Sequence, residues 1–134
     1  MEQVAIFAEN KKGALKDVLT PLADAGINIV GFVTNDSAEF GTIRMVVDHA
    51  EKAGEILGKK GYLYHISKVI GVEVPDTPGS LNRLLDNINQ ININVDYVYI
   101  SYNRENGNPI MVLHTDSMME VEESLRQRGF DVLE

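Results

Sequence analysis

Apolar positions along this chain fall into a strand rhythm and a helix rhythm that alternate, reach an end near residue 67, and then begin again. Val4-Ala5-Ile6-Phe7-Ala8 is a short apolar run suited to a buried strand, and so is Val69-Ile70-Gly71-Val72-Glu73-Val74. From Ala14 to Ala25 the residues Leu15, Val18, Leu19 and Leu22 recur at helical spacing, as Leu81, Leu84, Leu85 and Ile88 do later, so each helix has one face to bury. Gly26-Ile27-Asn28-Ile29 closes the first helix and opens a strand through Val33; Asn92-Ile93-Asn94-Val95 does the same toward Ile100. A turn around Asp36 to Gly41, or Asn103 to Gly107, returns into Ile43 to Val47, or Ile110 to Leu113, which predicts a hairpin in each half. A second helix, Ala50 to Lys60 or Ser117 to Arg128, leads past Gly61 or Gly129 to a last strand, Leu63 to Ser67 or Asp131 to Leu133.

The two halves are copies. Gly13 and Gly79 stand 66 residues apart, and at that offset Leu19 falls on Leu85, Ile27-Asn28 on Ile93-Asn94, Glu39 on Glu105, Gly41 on Gly107 and Met45-Val46 on Met111-Val112. Leu57 and Gly61 answer Leu125 and Gly129 at an offset of 68, which predicts two extra residues in the second copy before its second helix. The boundary divides residues 1–67 from 68–134, and each copy has the order β-α-β-β-α-β. That order makes the chain α+β: two ferredoxin-like repeats, each an antiparallel sheet with both helices on one face and strand one in the middle. Pro21 lies inside the first helix, where it removes an amide and crowds the carbonyl four residues back, so a kink or an early stop near Asp17 to Thr20 is expected. Met45, Met111, Met118 and Met119 read as core filler. The Val95 to Tyr102 strand, with Tyr97, Tyr99 and Tyr102, is apolar on both faces and is expected to pack on another unit.

Composition narrows the chemistry. The 134 residues include no cysteine, which excludes disulfides, thiolate metal sites and cysteine nucleophiles. Twelve basic against 20 acidic residues give a formal charge of −8, a sign that repels phosphate backbones and argues against a nucleic-acid partner. His49, His65 and His114 stand singly, away from any spacing that would aim two ligands at one metal, and no cofactor motif is present. No apolar run is long enough for a membrane helix, and Met1-Glu2-Gln3 lacks the basic and apolar regions of a signal peptide, which predicts a cytoplasmic protein.

The strand-one turn is polar-x-x-Gly-x-Leu in both copies: Asn10-Lys11-Lys12-Gly13-Ala14-Leu15 and Asp76-Thr77-Pro78-Gly79-Ser80-Leu81. With Ile27-Asn28-Ile29 and Ile93-Asn94-Val95 entering strand two, the chain resembles the ACT domain, the small regulatory module of amino-acid metabolism, twice over and over nearly its whole length. The second copy matches the family's turn more closely, since the first has Lys12 where the family prefers proline. The resemblance implies a stand-alone tandem ACT protein that binds a free amino acid or similar small ligand at an interface between two ACT domains laid side by side. Physical chemistry gives the turn a use. A glycine at the strand-to-helix junction lets the backbone approach a ligand, and the unpaired amides that open the helix, in residues 11–15 and 77–81, suit a carboxylate. Asn10 and Asp76 would accept from an α-ammonium, and Asn28 and Asn94 would offer side-chain amides. The same residues also fit a plainer role, as turn glycines, helix caps and junction asparagines tolerant of left-handed angles.

Three functions compete. The first is a non-enzymatic amino-acid sensor acting on a metabolic enzyme; the second is an interaction subunit that regulates such an enzyme and binds no ligand. The third, an enzyme, lacks a nucleophile with an adjacent base, a paired carboxylate turn or a phosphate loop. Units of about 65 residues bury modest cores, so a homodimer is expected as the supplement.

Overall fold

The computed structural model describes residues 1–36 and 40–134, so the centre of the hairpin turn at Asp36 to Gly41 lies outside the described residues. The chain forms two compact units, Glu2–Lys68 and Val69–Glu134, the latter including Met1. In the first unit β1 (Glu2–Glu9), α1 (Ala14–Asp24), β2 (Ile29–Asp36), β3 (Phe40–Val47), α2 (Ala50–Lys59) and β4 (Leu63–Lys68) follow in order. In the second come β5 (Ile70–Glu73), α3 (Ser80–Gln90), β6 (Val95–Tyr102), β7 (Pro109–Thr115), α4 (Met118–Gln127) and β8 (Asp131–Val132). Strands run antiparallel in the orders β4-β1-β3-β2 and β6-β7-β5-β8. Strand one of each copy is thus flanked on both sides. None of the helices among the described residues is long and apolar enough to cross a membrane.

Period-two alternation explains why β1 sits where it does. Val4, Ile6 and Ala8 are buried in one cluster with Val18 and Leu22 of α1, Ile43, Met45 and Val47 of β3, and Ala53 and Leu57 of α2. The second unit repeats the arrangement with Ile70, Val72 and Val74 against Leu84, Ile88, Met111, Leu113, Val121 and Leu125. Leu22 and Leu84 are completely buried, each contributing about 1.5–3 kcal/mol by leaving water. That burial anchors the helices more than their caps do, because neither α1 nor α3 has a side-chain cap.

Three sequence expectations are corrected. Helix α1 does not stop near Asp17 to Thr20; it runs through Pro21 to Asp24. The proline forfeits one amide, but Val18 and Leu22 are buried on either side of it, and Ala25 N–H donates to Pro21 O at 3.2 Å, so packing holds the turn that proline weakens. The two extra residues of the second copy do precede α4, but they enter earlier than the ungapped match of Met45-Val46 to Met111-Val112 implies. Ile6 and Val72, 66 apart, face Ile43 and Met111, which are 68 apart, so the insertion lies in the β6–β7 hairpin loop. Gly41 therefore corresponds to Pro109, and Met45-Val46 to Leu113-His114. Finally, Met45 and Met111 are buried and Met118 packs on the second core, but Met119 is 85% exposed, one position round from the face that Met118 and Val121 define.

Candidate functional site

The two strand-to-helix turns have the same backbone. In the first, Lys11 N–H donates to Glu9 O at 3.0 Å, Ala14 N–H to Lys11 O at 3.2 Å and Asp17 N–H to Gly13 O at 3.0 Å. In the second, Thr77 N–H donates to Pro75 O at 2.9 Å, Ser80 N–H to Thr77 O at 3.3 Å and Arg83 N–H to Gly79 O at 2.9 Å. The capping residues are Gly13 (φ 83°, ψ −8°) and Gly79 (φ 88°, ψ −2°), left-handed positions that glycine adopts without strain. Asn10 and Asp76 precede these caps by three residues, so neither is the N-cap itself. A helix that opens on glycine keeps first-turn amides uncovered by any side chain of its own cap, and its dipole favours an anion there.

Beside the first turn lies a cleft of about 170 Å³. The end of β1 and the turn supply Ala8, Glu9, Asn10 and Lys11; α1 supplies Ala14 and Leu15; the facing ends of β2 and β3 supply Thr34, Asn35, Gly41 and Ile43. Lys11 Nζ lies 3.1 Å from Glu9 Oε2 at the rim, an exposed pair worth about 0–1 kcal/mol that leaves the lysine able to exchange partners. Of the residues that the sequence singles out, Asn10, Lys11, Ala14 and Leu15 line this cleft. Gly13 borders a neighbouring groove along α1 with Leu15, Lys16 and Leu19, and Lys12 is exposed on the turn. Thr34, Asn35 and Gly41 are not apparent as site residues in the sequence; the signal for them is the hairpin register, which returns their strand ends to the β1 terminus.

Asp76, Thr77, Pro78, Gly79, Ser80 and Leu81 occupy the corresponding turn of the second unit, but there the side chains bond one another. Ser80 Oγ donates to Pro75 O at 2.6 Å and lies 3.0 Å from Thr77 Oγ1. Asn28 and Asn94 are not brought to the turns. Each precedes its strand, β2 or β6, at the end remote from the turn, roughly 20 Å away at about 3.3 Å per strand residue. Asn28 N–H donates to Asp48 Oδ1 at 3.1 Å while Asp48 N–H donates to Asn28 O at 3.1 Å, a clasp on the loop that enters α2. Asn94 Nδ2 lies 3.5 Å from Asp96 Oδ1. The junction residue that takes a left-handed angle is Asn92, at φ 58°, matching Gly26 at φ 72°.

A second polar constellation belongs to the hairpin insertion. Three amides converge on the Glu73 carboxylate: Asn103 Nδ2 at 2.5 Å from Oε1, and Asn106 Nδ2 at 3.2 Å and Asn108 Nδ2 at 3.3 Å from Oε2. The amide orientations are set by the loop, since Asn103 Oδ1 accepts from Glu105 N–H and Asn106 Oδ1 from Asn108 N–H, both at 2.9 Å. These donors, Asn103 foremost, hold the Glu73 carboxyl below its ordinary pKa of 4.5 against the opposing effect of desolvation. On β7, His114 Nδ1 lies 2.8 Å from Asp96 Oδ2, and the imidazole stacks on Tyr97 with ring centres 5.4 Å apart. A bulge between Val95 and Tyr97 brings the aspartate within reach of that histidine.

The sequence matches the ACT domain pair family over residues 1–134. Among solved structures, protein BT0572 from Bacteroides thetaiotaomicron is similar at 30% identity and a TM-score of 0.90, with 98% of this chain and 90% of that one covered. The ligand-free regulatory subunit of aspartate kinase from Thermus thermophilus shares the fold at 16% identity and a TM-score of 0.69, covering 94% of this chain and 90% of its own. The corresponding subunit from Thermus flavus does so at 18% and 0.68, over 93% and 88%. No curated protein matches the chain.

Proposed function

This chain belongs to the ACT domain pair family, a family of regulatory rather than catalytic domains, and from that premise we propose that it is an amino-acid-binding regulatory protein, its ligand held at the strand-to-helix turn. The observation that supports this most is the cleft beside Asn10–Leu15, where an uncapped helix start, Lys11 and a polar strand end meet around a space of about 170 Å³. The α-carboxylate of a ligand would take the first-turn amides of α1, with the field of Lys11 and Lys12 behind them. Its α-ammonium would find acceptors in Glu9 O and Asn10 Oδ1. Since the same fold serves as a regulatory subunit of aspartate kinase, a metabolic enzyme is the proposed partner class.

A second reading, an interaction subunit without a ligand, draws on Leu81, Ile100 and Tyr102 of the second unit, which are 37%, 45% and 55% exposed. One experiment separates the two. Native mass spectrometry of the purified protein establishes whether an amino acid is already bound, and calorimetric titration of all twenty into ligand-free protein follows. Heat from at least one amino acid is expected; none from any would leave the interaction subunit as the function.

A further inference from the structure

We infer that the chain has one ligand site, in the first unit, and that the matching space in the second unit is closed by that unit's own side chains; this rests on the amino-acid-binding reading above. Because the two turns share their backbone hydrogen bonds and glycine angles, any difference in what they hold comes from side chains. The strand registers align the cleft walls position by position. Ala8 becomes Val74, Thr34 becomes Ile100, Gly41 becomes Pro109, Ile43 becomes Met111 and Ala14 becomes Ser80. The first three exchanges fill space or replace a polar wall with an apolar one, and the fourth puts a longer, unbranched chain where Ile43 stood.

The fifth exchange acts by chemistry. Ser80 Oγ, 2.6 Å from Pro75 O, delivers a hydrogen bond to the carbonyl that corresponds to Glu9 O in the first unit. Ala14 has no hydroxyl with which to reach Glu9 O, so that carbonyl, which accepts from Lys11 N–H at 3.0 Å, keeps its second lone pair for an incoming ammonium. Ser80 thus stands where a ligand's N–H would stand. Charge follows the same division, with Lys11 and Lys12 in the first turn where the second has Thr77 and Pro78, and Asn10 where it has Asp76. Within the turns themselves these exchanges favour a carboxylate in the first copy over the second.

A half-open cleft of about 170 Å³ suits an amino acid at the small end of the range. Thr34 and Asn35, at the wall opposite the turn, match a short polar side chain. The predicted ligand is a small, hydrophilic amino acid, bound once per chain.

The test is equilibrium dialysis of the intact chain against each of the twenty radiolabelled amino acids, with amide NMR shifts mapped for the best binder. Saturation at one per chain is expected, by a short polar amino acid, with shifts centred on residues 8–15, 34–35 and 41–43. Ala14→Ser and Ala8→Val each carry a second-unit residue into the first cleft and should weaken binding by about tenfold or more; Ala14→Ser, at the helix start outside the core, does so with the melting temperature retained. Saturation at two per chain, shifts at 77–81, preference for a large apolar amino acid, or full affinity in both variants would overturn the inference and leave amino-acid binding standing. Binding of none of the twenty would overturn both.

Discussion

Replacing Gly79 by alanine isolates the conformational cost of the turn from every other effect. A Cβ at this position would meet no atom within 4 Å, so the substitution creates no clash. What remains is φ at 88°, where an L-residue is disfavoured by about 1–2 kcal/mol. Alanine also narrows the unfolded ensemble, an effect of about 0.4–1 kcal/mol in the opposite direction. The net expectation is a loss of about 0–1.6 kcal/mol, centred on about 1, with asparagine at the same position milder because it tolerates left-handed angles. At about 2.1 cal/mol/K per residue, 134 residues carry an unfolding entropy near 0.28 kcal/mol/K, so about 1 kcal/mol lowers Tm by about 3–4 °C. A unit of half that length unfolding alone would shift about twice as far, so calorimetry of Gly79→Ala also reports whether the units melt together. Gly13→Ala should behave alike, its site being equally open and its φ 83°. Either alanine variant proving more stable than the parent would refute the reasoning, since the narrowing of the unfolded ensemble would then outweigh the strain of a left-handed backbone.

Gly54 should resist substitution for the opposite reason: a Cβ there would lie 2.5 Å from Tyr64 Cε2, so Gly54→Ala should cost about 1–3 kcal/mol in urea unfolding despite alanine's better helix propensity, and become neutral or stabilising in a Tyr64→Ala background. Loss in both backgrounds would show that the ring is not the cause. Glu73 has its folded pKa below 4.5, so its ionised form stabilises the fold above that pH, and the contribution disappears as pH falls through the folded value. Carboxyl carbon NMR should follow this titration, and Asn103→Ala should move it back toward 4.5; an unchanged midpoint would remove Asn103 as the principal donor. We also expect sedimentation velocity at micromolar concentration to give a homodimer, because exposed apolar residues such as Leu63, Leu81 and Tyr102 remain to be covered; a monomer would refute this.

The element order was legible because burial imposes a period on each segment, and the two copies impose it twice. The glycine turns were legible for a similar reason: a left-handed cap needs glycine at Gly13 and Gly79 whatever else varies around it. Pro21 misleads because local propensity is outweighed by Val18 and Leu22, whose burial is a tertiary fact. Asn28 and Asn94 mislead because proximity in a motif is not proximity in space; a strand of eight residues carries each of them away from the turn it accompanies in the sequence. Thr34, Asn35 and Gly41 stay hidden for the converse reason, since only the antiparallel return of β2 and β3 delivers them to the end of β1. Ungapped alignment of the copies puts the insertion too late because Gly41 and Gly107 coincide in type while playing different parts: Gly107 sits within the loop, and Pro109 takes the strand position of Gly41.

That insertion explains a difference that composition alone leaves unconnected. Strand register places Phe7 of the first unit and Glu73 of the second at the same site. Phe7, on the face of β1 away from the helices, is 48% exposed. A carboxylate at that position beside Asp131, its cross-strand neighbour on β8, would be unfavourable by itself, since like charges directly opposite destabilise a sheet. The Asn103–Asn108 loop offsets that by surrounding Glu73 with three amide donors, and it does so only because two extra residues give the loop enough length to carry Asn103, Asn106 and Asn108 back toward β5. The same hairpin leads into Pro109 of β7, whose carbonyl accepts from Val74 N–H at 3.0 Å. Lengthening the hairpin thus satisfies a charge on the outer face of the sheet, so that one local change in the duplicated sequence accounts for a loop tied to β5 in the second unit.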